Sequence, residues 1–79
     1  MSDVSRIGPI VECIRPLLSG QPAGVQGAVL ADLLAIFLAG HRSDTPAHTE
    51  QVREAALAFH IETVRKLIPV NAALMDGEG

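Results

Sequence analysis

The stretch from Pro22 to Gly40 constrains the fold most, because it reads as a helix with no polar side. At 100° per residue, Gly24, Ala28, Ala31, Ala35 and Ala39 fall on one arc about 80° wide. Val25, Val29, Leu30, Leu33, Leu34, Ile36, Phe37 and Leu38 occupy nearly all the remainder, and only Gln26 and Asp32 interrupt them. A helix that is apolar all round has to be covered all round.

Proline and glycine punctuate the chain into three helical segments, expected at about 9–18, 22–39 and 46–68. In the first, Pro9 suits the start of a helix and Ser19-Gly20 the end, while Pro16 either kinks the segment or ends it near Arg15. Ile10, Ile14 and Leu17 form its apolar stripe. The second is expected to end on Gly40 as a C′ glycine. The third opens on Thr45 as N-cap with Pro46 at the first helical position, and Pro69 is expected to stop it. Glu54, Arg65, Gln51, Glu62 and Lys66 give it a solvated face about 120° wide, opposite Phe59, Val52, Leu67, Val64, Leu57, Ile68 and Ile61. Residues 1–6 and 76–79 are expected to fray. No strand pattern or internal repeat is visible, so the fold class is all-α, a single helical domain spanning 1–79.

Size turns the apolar central segment into an argument for association. The chain has 79 residues, a mass of 8.3 kDa and 48% hydrophobic residues, with a mean hydropathy of +0.31. A folded monomer of that mass exposes roughly 4,600 Å² and buries only about 60% of its open-chain surface. Two flanking helices, one of them short, leave a strip of the central helix uncovered. Leaving large apolar side chains in water forgoes about 1.5–3 kcal/mol each, a heavy loss for a domain this small. A second copy related by a two-fold axis is the simplest cover. The expected architecture is therefore a three-helix unit that forms a homodimeric bundle of four to six helices. The proposed interface is Gly24, Ala28, Ala31, Ala35 and Ala39, whose small side chains allow close approach, with Leu33 and Phe37 beside it. Alternatively, the third helix of the same chain uses this row.

Asp32 sits in that apolar helix, and Arg53 and His60 lie seven residues apart on the third. A buried charge is tolerable only if paired, so Asp32 is expected to pair with Arg53 or His60, within or between chains, as a device that sets register. The same three residues define the second functional reading, a small-ligand or enzyme-accessory module with a pocket between helices. The first reading is a non-enzymatic, homo-oligomeric protein acting through protein–protein contacts as an adaptor, accessory subunit or regulatory partner. The apolar excess could equally form a groove for a partner's amphipathic helix.

Several classes are disfavoured. Net charge is −3 with a pI near 5.4, and Arg6, Arg15, Arg42, Arg53, Arg65 and Lys66 are scattered, so no nucleic-acid partner is expected. A DNA-binding regulator turning about His41–Thr45 is the remaining form of that idea. The segment 23–39 is shorter than the roughly 20 residues of a membrane span, and Asp32 adds about 2.5–3.5 kcal/mol against insertion. His41, His48 and His60 lack the spacing to grip a metal from one helical turn, and no phosphate-binding glycine motif occurs, so neither metal nor cofactor is expected. Cys13 is expected as a small core residue rather than a nucleophile. A single cysteine and a start, Met1–Arg6, without basic and apolar leader regions together suggest a soluble cytoplasmic protein.

Overall fold

The structure, a computed structural model, describes residues 3–78. After a 3-10 turn at Asp3–Arg6 come α1 (Ile7–Leu18), α2 (Ala23–Ala39) and α3 (Pro46–Glu78), with no strand among the described residues. Of the ends expected to fray, Met1, Ser2 and Gly79 lie outside the described residues, and 76–78 are helical. None of the helices among the described residues is long and apolar enough to cross a membrane. The chain divides into two compact units, 1–33 and 34–79, with the division falling inside α2.

In the first unit, α1 passes through Pro16 instead of ending at Arg15. The proline forgoes one helical N–H, and the helix continues because the loss falls in its last turn, where Ser19 N–H still reaches Arg15 O at 2.9 Å. Pro9 lies in the first turn, where backbone N–H groups have no helical partner in any case. Gly20, in the link to α2, has φ +87°, a left-handed conformation that strains any residue with a Cβ. Gln26 fastens the junction: its N–H donates to Pro22 O at 3.0 Å and its side-chain Nε2 to Gln21 O at 2.8 Å. The exposed Glu12–Arg15 pair at 3.0 Å adds little in water.

In the second unit, the last turn of α2 and the first four turns of α3 meet around a short turn. Gly40 lacks the left-handed φ of a C′ glycine; its role is close approach, since a Cβ there would lie 3.3 Å from Phe37 O. Gly40 N–H is shared between Ile36 O and Phe37 O, each at 3.2 Å, and His41 N–H donates to Leu38 O at 3.0 Å. At the other side of the turn, Thr45 Oγ1 accepts the N–H of His48 at 3.1 Å, an N-cap bond to the third helical residue. Thr49 ties the turn down, its Oγ1 accepting Ser43 N–H at 2.9 Å and donating to Ser43 O at 3.3 Å.

The third helix differs most from expectation. It runs through Pro69 to Glu78, 33 residues and about 50 Å, rather than stopping at Ile68. Proline removes one hydrogen bond, that to Arg65 O, and Asn71-Ala72-Ala73-Leu74-Met75 beyond it contains enough strong helix formers to carry the helix on. Pro69 shares the solvated side with Arg65 and Glu62, which form an exposed ion pair at 2.8 Å.

Two measurements test these local assignments. Thr45→Ala removes the N-cap acceptor and lowers stability by about 1 kcal/mol in urea unfolding; an unchanged midpoint would mean that the cap is not formed. Pro69→Ala restores an internal hydrogen bond, so helicity by circular dichroism and stability both rise, the latter by up to about 3 kcal/mol. A helix that ended at Ile68 would show neither gain.

Candidate interaction surface

The end of α2 is where side chains from distant positions converge. A helix leaves its last four carbonyls without helical partners. Here Ile36 O and Phe37 O are met by Gly40 N–H and Leu38 O by His41 N–H, while Ala39 O accepts from Arg53 Nη2 at 2.8 Å. Arg53 Nε also donates to His41 O at 3.1 Å, so one guanidinium clamps both the helix end and the turn that follows it. Its positive charge stands at the negative pole of α2, an arrangement favourable in itself.

Aromatic edges complete the corner. His41 Nδ1 donates to Phe37 O at 3.0 Å; a carbonyl only accepts, so this contact places a proton on Nδ1. The His41 ring lies edge-on to Phe37, with centroids 4.8 Å apart. His60 meets Phe37 from α3 at 5.3 Å and is itself flanked by Phe59 at 5.3 Å, both edge-to-face. Thr63 Oγ1 donates back to Phe59 O at 3.1 Å. Ser43 Oγ and His48 Nδ1 share a hydrogen bond that secures the turn to the first turn of α3.

Of the residues singled out in the sequence, the structure thus brings Phe37, Ala39, Arg53 and His60 together. Arg53 and His60 are half-buried and serve the end of α2, one through backbone carbonyls and one through an aromatic ring. Asp32 belongs to the other unit, is exposed, and makes no hydrogen bond or ion pair among the described residues. Gly24, Ala28, Ala31, Ala35 and Ala39 are all exposed along α2, and Leu33 and Phe37 are each about half exposed. Cys13, expected in a core, is exposed in the single chain.

None of the described residues is fully buried in the single chain. The half-buried positions of α3 are Thr49, Val52, Arg53, Ala56, Leu57, His60 and Thr63, and beyond Thr63 every described side chain of α3 is exposed. There Val64, Leu67, Ile68, Asn71, Ala72 and Met75 line a shallow trough of about 440 Å³. Residues beyond Ile68 fall outside the surface that the sequence suggests, because a proline at 69 is expected to end the helix. The available signal was the apolar spacing of Val64, Leu67, Ile68 and Met75, which keeps helical period across the proline. His41, Ser43 and Thr49 were also missed as corner residues; the hydroxyl-bearing and histidine residues clustered about the start of α3 were their sign.

Among the described residues no group of three His, Cys, Asp or Glu side chains comes together in a way that could hold a metal. No protein family, curated protein or solved structure matches the chain.

The clamp is directly testable. Arg53→Met keeps much of the aliphatic stem but removes two charge-assisted hydrogen bonds, and it lowers stability by about 1.5–3 kcal/mol in urea unfolding. A loss below about 0.5 kcal/mol would show that water serves these carbonyls equally well.

Proposed function

We propose that this chain is a non-enzymatic, homo-oligomeric helical protein of the cytoplasm that acts through protein–protein contacts, as an adaptor, accessory subunit or regulatory partner. One observation carries the reading: large apolar side chains stand exposed on all three helices, and none among the described residues is buried in the single chain. On α2 alone, Val25, Val29, Leu30, Leu33, Ile36 and Phe37 are each 40–62% exposed. Covering them recovers about half of the full burial value, together about 5–9 kcal/mol per copy. That is the size of a small domain's whole stability, so the covered and uncovered states differ decisively.

A second copy is the cover offered by the Gly24–Ala39 row, where side chains no larger than a methyl group let two helix backbones approach closely. The alternative module, with a ligand held near Asp32, Arg53 and His60, has less support because the Arg53 guanidinium is already occupied by two carbonyls. An exposed single cysteine at Cys13 suits a reducing compartment, where it stays a thiol.

Sedimentation equilibrium at low micromolar concentration tests the reading, with a dimer or larger species as the expected result. A stable 8 kDa monomer that unfolds cooperatively overturns it. Ala31→Leu and Ala35→Leu overfill the proposed seam, each weakening association by about 1–3 kcal/mol; undiminished association would move the seam elsewhere.

A further inference from the structure

The exposed part of α3 carries a pattern that the α2 row does not explain. From Leu57 onward, Leu57, His60, Val64, Leu67, Asn71 and Leu74 recur at alternating intervals of three and four residues, the a and d spacing of a two-helix seam. Its first two members, Leu57 and His60, are half-buried in the corner, where His60 meets Phe37. The next four are exposed. The same helical side that the corner partly covers within the second unit therefore continues, uncovered, for the remaining turns of α3.

Two features say what covers it. Val64 and Asn71 occupy the a-type positions, and Leu67 and Leu74 the d-type positions. Among parallel pairings, a β-branched residue at a with leucine at d favours two strands over three or four. Asn71 is the one polar residue in the exposed run, and its amide both donates and accepts. Covered by an apolar surface, that amide would be left without partners. Covered by the same residue of a second copy, each amide finds its complement, and only an in-register pairing brings the two together. Pro69 fits this orientation, because it lies on the opposite, solvated side of the helix with Arg65, leaving the interrupted backbone facing water.

We infer that the segment Val64–Leu74 of α3 is a self-recognition seam, which pairs parallel and in register with the same segment of a second copy through Asn71. The inference rests on the self-association reading and adds a second seam to the one on α2. The run is too short to hold two chains by itself, since coiled coils need three or more heptads to be sustained. Its role is to select orientation: the α2 row admits either direction, and the Asn71 pair accepts one.

The test uses the 79-residue chain with Cys13→Ser as background. Leu67→Cys places a thiol at a d-type position, where a parallel in-register pair brings the two copies within disulfide reach. Mild oxidation then yields about tenfold more covalent dimer than Arg65→Cys, whose thiol lies on the outer side. In parallel, Asn71→Val removes the polar selector, and sedimentation is expected to show tighter association with species larger than a dimer. A chain that sediments as a monomer overturns both the self-association reading and this seam. A dimer whose Leu67→Cys form cross-links no better than Arg65→Cys, or whose Asn71→Val form matches the parent in size and stability, overturns the seam alone. Cross-linking that requires Leu67→Cys and Met75→Cys on different copies identifies an antiparallel pairing and also overturns it.

Discussion

The carbonyls at the end of α2 determine the course of the chain through the second unit. A helix end in a tight turn has acceptors but few donors, and each unmet acceptor away from water costs free energy. Arg53 supplies two donors from one rigid planar group, which a lysine could not do in the same geometry. Because the guanidinium reaches both Ala39 O and His41 O, it holds the helix end and the turn together. Phe37 is then available to receive His41 and His60 on its edges.

Polar bonds and ring edges hold this corner more than apolar burial does. Leu34, Leu38, Val52, Ala56 and Leu57 are only half-buried there. A domain stabilised chiefly by its core would bury such residues fully. The apolar side chains of α2 and the C-terminal half of α3 keep a large free energy of burial in reserve, which association can release. The clamp orders the turn within a chain, and the proposed seams are where that reserve would be released.

How much of this was legible beforehand follows from how local each feature is. The start of α3 at Thr45-Pro46 could be read directly, because a cap involves residues three apart and a proline at the first turn loses nothing. The apolar circumference of α2 was equally plain, since it follows from composition and helical period. Pro69 does not stop α3. Its local penalty is real, but it falls once, and the strong helix formers beyond it outweigh it. Gly40 keeps an ordinary φ rather than the left-handed one usual for a C′ glycine, and Arg53 meets the Ala39 carbonyl by another route.

The amino-acid order alone determined that the chain is helical, where two of its three helices begin and end to within a residue or two, and that its central helix has no side suited to water. Those properties depend on neighbours within a turn or two. Only the tertiary structure decided that Arg53, from 12 and 14 residues away, would close the end of α2, and that His60 would meet the ring of Phe37. Such choices depend on the path of the turn from Gly40 to Thr45. That path is set by several weak bonds acting together, and no periodicity along the chain encodes their sum.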